Sequence, residues 1–269
     1  MWEMKGKVKG RQMAKIIIIA ACLLFAAFST IAKADEDFCF NSPGILIPAK
    51  SGKGRVGDRR VYLPDMVFPI AVGGKNGLHA YCNSQVYGVG GSSSGKPGNV
   101  NSLQNYKMCW ADDFCETRTW NMPFCGAGRG HQGVDCRPDQ PTKTAMYEAV
   151  AFADATVVQV TTNTTVSLRT KDGTECRYLH LDQSSIRVRR GDQLRAGTTL
   201  GKVWNTMGGI PNTSIHLHFD CSKVVLIKGV PQRVFVPVYT SLIAAYGRAW
   251  NLSIPVKGGD LVDTDFERD

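Results

Sequence analysis

From about residue 126 onward, apolar and polar positions alternate with the two-residue period of half-buried strands. Thr156 to Val160 and Thr165 to Leu168 are β-branched alternations. Lys171-Asp172-Gly173-Thr174 is a hairpin signal, and Glu175 to Leu181 alternates again with His180 near its end. Ile186-Arg187-Val188 follows, then glycine-marked turns at Gly191-Asp192 and Ala196-Gly197, then Thr199 to Trp204 and the strand Ile215 to Asp220. Only Val238 to Trp250 has helical spacing, and Thr144 to Phe152 fits either period. Short strands joined by glycine turns predict a mostly β, antiparallel-sheet core with one short helix near 240–250.

Residues 35–125 lack this periodicity. They are cysteine-dense, Gly/Ser-rich at 88–98 (GVGGSSSGKPG), and contain Trp110, Trp120, Tyr81, Tyr87 and Tyr106. The pattern predicts a disulfide-rich extension packed on a core at 126–225, with residues 226–269 as a C-terminal extension carrying the helix. The aromatics are expected to pack, although a place at a pocket rim would suit a polymer substrate.

The start of the chain reads as a leader. Lys5, Lys7, Lys9, Arg11 and Lys15 precede the apolar run Ile16 to Phe28, and Ala32-Lys33-Ala34 has the small residues of a cleavage site. The apolar run is short against the roughly 20 residues of a bilayer span, so residues 1–34 are expected to be a signal peptide rather than an anchor. Setting them aside leaves 235 residues, enough for a substantial core, and lowers the formal charge from +9 to +4 because six basic residues and one acidic residue go with them. No Lys/Arg stripe remains to suit nucleic acid.

Eight cysteines lie beyond the leader: Cys39, Cys82, Cys109, Cys115, Cys125, Cys136, Cys176 and Cys221. An even number in an exported chain implies up to four disulfides, and no C-x-x-C pair suggests a thiolate metal cluster. Cys136 adjoins Asp135 and Cys221 follows His218 closely, so these two are expected to staple the walls of any pocket there.

The chain has five histidines, and three fall in two short segments, His131 in GHQGVD and His216 and His218 in IHLHFD. Alternate residues of a strand face the same way, so His216 and His218 can enter one cavity while Leu217 and Phe219 face the other side. His131 and Asp135 flank Gly133, where a turn could bring imidazole and carboxylate to the same place. Such a set could close around a metal with an open position, as catalytic zinc requires.

The ordered segments GHQGVD, RYLHL, RRGDQLRAGTTLGKVWNT and HLHFD, spanning about 127–221, resemble the lysostaphin-like, or LytM-type, zinc metallopeptidases. The resemblance implies an antiparallel β core of the duplicated hybrid motif type and a monomer holding one Zn2+ through His131, Asp135 and His218. His180 and His216 are then the catalytic histidines, acting on water and on the transition state. The implied reaction is endopeptidase cleavage of peptidoglycan peptide stems, at D-alanyl to meso-diaminopimelate cross-links if the enzyme is periplasmic. A non-hydrolytic wall-binding regulator of amidases and a secreted peptidase acting on proteins or a foreign wall are the alternatives. Export with removal of the leader leaves no stable membrane insertion and places the protein in the periplasm, or outside the cell.

Departures from the family pattern concern the groove. Asn212-Thr213-Ser214 and Ile215 stand where the family often has Ser-Thr-Gly-Pro before the last histidine pair, and Cys136 replaces a small apolar residue. Ser51 to Arg60, or the glycine stretch at 88–98, is flexible enough in composition to cover a groove. Gly133 is expected to allow close backbone passage, or simply a tight turn. Asn205 and Thr206 match the family's polar turn. Tyr178 shares a face with His180 by strand parity, as a groove or core residue. His79 has no partner segment and is expected to be an ordinary residue.

Overall fold

The computed structural model describes residues 38–73, 77–84, 86–92, 96–106, 109–139, 147–162, 164–227 and 229–254. The leader expected over 1–34 lies outside them, as do residues 144–146, part of the glycine stretch and the end of the C-terminal extension. The strands are β1 (Ala80–Cys82), β2 (Val134–Pro138), β3 (Glu148–Val150), β4 (Ala155–Val160), β5 (Val166–Arg169), β6 (Glu175–Leu179), β7 (Gln193–Leu194), β8 (Thr199–Lys202), β9 (Trp204–Met207), β10 (Ile210–Ile227) and β11 (Val230–Val236). The main sheet runs β1-β2-β10-β6-β5-β4-β7, with β9 and β11 also paired to β10, and β3 pairs with β8. All of these ladders are antiparallel. The predicted mostly β class with a short helix is therefore the observed one, the helix being α1 (Tyr239–Trp250).

The long strand β10 organises the sheet. It enters from β9 through Gly208-Gly209, whose φ values of 66° and 86° suit a two-residue turn of the kind that matches strand twist. It leaves at Gly229 (φ 75°) into β11, so the boundary expected at 225 falls inside a strand. Ile186 to Val188 forms no strand; it follows a 3-10 turn at Gln183–Ser185.

Alternation along β10 separates two chemistries. Leu217 pairs with Cys136, Phe219 with Val134 and Tyr178, and Cys221 with Cys176, placing these residues on one apolar face. Phe219 packs edge-on against Tyr178 and Phe152 at 5.1 and 6.2 Å, and all three are fully buried. Each such side chain contributes about 1.5–3 kcal/mol by leaving water. Tyr178 is thereby a core residue, its hydroxyl accepting from the Phe152 amide at 2.8 Å. The opposite face carries Ser214, His216, His218 and Asp220, and the register sets Asp135 directly across from His218.

The four disulfides are Cys39–Cys109, Cys82–Cys136, Cys115–Cys125 and Cys176–Cys221. Cys82–Cys136 and Cys176–Cys221 join residues directly opposite each other in the ladders. They staple the strands from the apolar side rather than the pocket walls, because Cys136 and Cys221 alternate with Asp135 and His218. The helix packs by Tyr246 onto Phe68 and Trp110, at 5.5 and 4.9 Å between rings. Trp110 is thus a packing aromatic, as expected.

Gly133 makes the entry to β2 possible. A Cβ there would lie 2.2 Å from the Phe219 carbonyl oxygen and 2.6 Å from the Asp220 Cβ, so close backbone passage is the reason for glycine. Gly133→Ala is expected to cost about 1–3 kcal/mol or more, because backbone cannot yield to the added methyl. The melting temperature should fall by at least about 2–4 °C per kcal/mol in a chain of this size, and unchanged melting would contradict this packing.

Candidate metal centre

His131, Asp135 and His218 offer donor atoms that all lie within 4.8 Å of one another, and all three residues are buried. The separations are 3.0 Å for His131 Nε2 to His218 Nδ1, 3.0 Å for His218 Nδ1 to Asp135 Oδ1, and 3.6 Å for His131 Nε2 to Asp135 Oδ1. Donors about 2.0–2.2 Å from one tetrahedral zinc ion stand roughly 3.3–3.6 Å apart, which this triangle approaches.

Protonation follows from the outer contacts. His131 donates its Nδ1–H to the Asp113 carbonyl at 3.1 Å, and His218 donates its Nε2–H to Asp220 Oδ2 at 2.9 Å. The remaining nitrogen of each ring therefore aims a lone pair at the other and at the Asp135 carboxylate. Three electron-rich atoms in a buried site need a cation between them. Burial holds His131 down to about 3, and burial also holds His216 well below its usual value. At His218 burial is outweighed by the hydrogen bonds to Asp135 and Asp220, which push its pKa up to about 9. Either a proton or a metal ion can thus occupy its Nδ1. A proton serves one pair of atoms, whereas a metal ion serves all three. Although burial opposes it, the facing imidazoles keep Asp135 well below the usual carboxylate range, hence ionised. The donor set fits one divalent ion, with a fourth position for water or substrate.

The other two expected histidines lie beside this triangle. His216 Nε2 is 3.5 Å from Asp135 Oδ1, and its Nδ1–H is given to the Ser214 carbonyl at 2.8 Å. The Ser214 hydroxyl in turn accepts from buried Arg137 at 2.9 Å. The His180 ring is 4.6 Å from that of His216 and donates its Nδ1–H to the Thr206 carbonyl at 2.8 Å. Burial lowers its pKa.

Strand parity misplaces His180. Leu179 faces His218 across the ladder and Tyr178 faces Phe219, so alternation would send His180 to the apolar side with Tyr178. Its φ of 69° ends the strand in the left-handed region and turns the ring back toward His216. The face shared with Tyr178 is therefore corrected. His79 stacks on Trp250 at 4.0 Å and hydrogen-bonds the Tyr246 hydroxyl, so it belongs to the helix packing.

Three contributors were not expected at the site, although Arg177 opens RYLHL and Asp220 closes HLHFD. Asp113 and Asp220 contact the ligand histidines from opposite sides, and Arg177 binds Asp220 through two nitrogens at 2.7 and 2.8 Å. Asp220 was legible as the next residue on the histidine face of IHLHFD. Asp113 had no local signal, being distant in sequence. Trp120, 47% exposed, lies over His131 with rings 6.1 Å apart, so one aromatic of the extension does reach the site rim. The segment Ser51 to Arg60 is tied to that same loop, through the Thr117 amide to the Ser51 carbonyl at 2.7 Å and Arg55 to the Phe124 carbonyl at 2.7 Å.

Residues 129–233 match the model of peptidase family M23. That stretch is less than half of the chain, and over it the chain is similar to that family. Among solved structures it is similar to a protein described as a glycyl-glycine endopeptidase from Ruminococcus gnavus, with 23% identity over 47% of this chain and 51% of that one and a TM-score of 0.37. The catalytic domain of the antimicrobial peptidase lysostaphin from Staphylococcus simulans is 25% identical over 44% of this chain and 81% of that one, with a TM-score of 0.33. A zinc-containing peptidase from Vibrio cholerae is 24% identical over 39% of this chain and 30% of that one, with a TM-score of 0.27. The chain spans about half the length of the first of these. No curated protein sequence matches it.

Purified protein is expected to bind one zinc ion per chain, measured by metal analysis and chelator competition. Loss of a ligand in His131→Ala should weaken binding by more than about 100-fold, beyond the 10–100-fold typical of losing an outer partner. Equal zinc affinity in His131→Ala would remove this residue from the site.

Proposed function

We propose that the chain is a zinc endopeptidase that hydrolyses peptide cross-links of peptidoglycan, most specifically D-alanyl to meso-diaminopimelate bonds. The observation that carries this reading is the triangle of His131, Asp135 and His218 with two further imidazoles beside it, His216 with Nε2 3.5 Å from Asp135 Oδ1 and His180 with its ring 4.6 Å from that of His216. Three ligands with two further neutral imidazoles beside them suit hydrolysis better than a closed structural site.

His131, Asp135 and His218 would hold a zinc ion, which when bound would supply Lewis acidity toward water and a carbonyl. His216 and His180 act next to it. With Nδ1–H committed to the Ser214 and Thr206 carbonyls, each keeps an unprotonated Nε2 for the reaction, that of His216 beside Asp135. Burial keeps both neutral near pH 7, so the pair provides the base that takes the proton from water and passes it to the leaving amine. Once protonated, an inward Nε2–H can hold the developing oxyanion. Thr206 lies on the β9–β10 hairpin, whose tip exposes Met207 and Ile210, and this hairpin flanks the histidines. Trp120 stands at the His131 side, 47% exposed, where its ring is open to a substrate peptide.

Four disulfides support an oxidising compartment, consistent with export to the periplasm. Among the described residues no helix is long and apolar enough to cross a membrane.

The test is digestion of diaminopimelate-type sacculi by the mature protein, with muropeptides read by mass. Cross-linked dimers should disappear, and chelator or His216→Ala should abolish this, a drop of at least the 10²–10⁴-fold typical of a lost acid–base group. Trp120→Ala should raise KM several-fold with kcat little changed, because an exposed ring contributes about 0.5–1.5 kcal/mol of contact. Intact dimers after exposure to zinc-loaded protein would refute the substrate assignment.

A further inference from the structure

The polar face of β10 is buried, and what buries it includes residues 112–131, most of which precede the family match. This segment does more than lie over the centre. The Cys115 amide donates to the His131 carbonyl at 3.0 Å, and the His131 amide donates to the Glu116 carbonyl at 2.8 Å. Gly130 admits this approach, since a Cβ there would lie 2.7 Å from Cys115 Cα. The backbone that carries the first metal ligand is thus paired to the cysteine-rich segment before β2 begins.

Asp113 makes the decisive contacts. Its carbonyl takes the Nδ1–H of His131 at 3.1 Å, which fixes the ring so that Nε2 faces the centre. Its carboxylate oxygen Oδ2 accepts the Asp135 amide at 3.1 Å and stands 3.8 Å from His131 Nδ1. One residue therefore holds two of the three ligands. Its side chain is 1% exposed, and its second oxygen, Oδ1, is buried with no hydrogen-bond partner. A buried carboxylate left half-satisfied is costly on its own, and a divalent cation nearby offsets that cost.

We propose that Asp113 is a positioning residue of the metal centre, holding His131 by its backbone carbonyl and Asp135 by its side-chain oxygen Oδ2. Residues 112–131 are then a working part of the catalytic unit and not a cover that can be removed to raise activity. This inference rests on the metal-centre reading but not on the identity of the substrate.

The test is zinc affinity by chelator competition on the full mature chain, alongside kcat, KM and thermal melting. Asp113→Ala should weaken zinc binding by about 10–100-fold, the range for loss of an outer partner. Asp113→Asn keeps an acceptor for the Asp135 amide and should recover most of that loss. At saturating zinc, kcat should fall more than KM changes. A merely structural aspartate would lower the melting temperature with zinc affinity unchanged, and that result overturns the proposal. Should Asp113→Ala fail to fold, Asp113→Leu, of similar shape but with no acceptor, takes its place, native zinc affinity in it being the refuting outcome. If the native chain itself binds no zinc, the metal reading fails first, which is a distinct result.

Discussion

Everything around the centre answers one electrostatic demand: lone pairs from two imidazoles and a carboxylate converge within 3.0 to 3.6 Å in a buried place. No arrangement of neutral side chains relieves that crowding, and a cation does. The outer contacts exist to make the crowding happen. Each histidine has its other nitrogen tied to a fixed acceptor, Asp113, Asp220, Ser214 or Thr206, so none can rotate or change tautomer to escape. Most of these acceptors are backbone carbonyls, which cannot swing away. Asp220 is the exception, and Arg177 immobilises it with a two-point contact.

The two-residue period of β10 turns this demand into a fold. Even-numbered residues from Ser214 to Asp220 carry the chemistry, and odd-numbered residues from Ile215 to Cys221 carry the core. Because both faces are buried, the polar face needs a cover that itself brings hydrogen-bonding groups, and the cysteine-rich segment supplies it. The apolar face receives two cross-strand disulfides in register with the site. A disulfide beneath ties β6 to β10, another ties β1 to β2, and ladder hydrogen bonds join β2 to β10, which together hold the spacing on which the ligand triangle depends.

Much of this was readable in the residues. His216 and His218 share a face because HLH is extended, and the alternations over 156–160 and 175–179 became strands. Gly133 announced a close approach. Parity failed at His180 because one left-handed residue reverses the side a ring faces, and no local pattern marks that reversal in a non-glycine residue. Asp113 was hidden for a different reason: its contacts are to residues 18 and 22 positions later, set by tertiary packing rather than spacing. The cysteine pairing was likewise open among many connectivities until ladder register placed Cys82 across from Cys136 and Cys176 across from Cys221.

Metal binding and folding are coupled through this design, but unequally across the molecule. In a small metal-nucleated domain the ion supplies the folding energy, and the chain without it is unstructured. Here the apolar face contains its own core of Tyr178, Phe152, Phe219 and Leu217, and cross-links tie the strands independently of any ion. The crowded lone pairs are then a local cost borne by a scaffold that is already stable. A preformed site of that kind gives up less of its binding free energy to ordering the protein. More of it would remain for holding the ion.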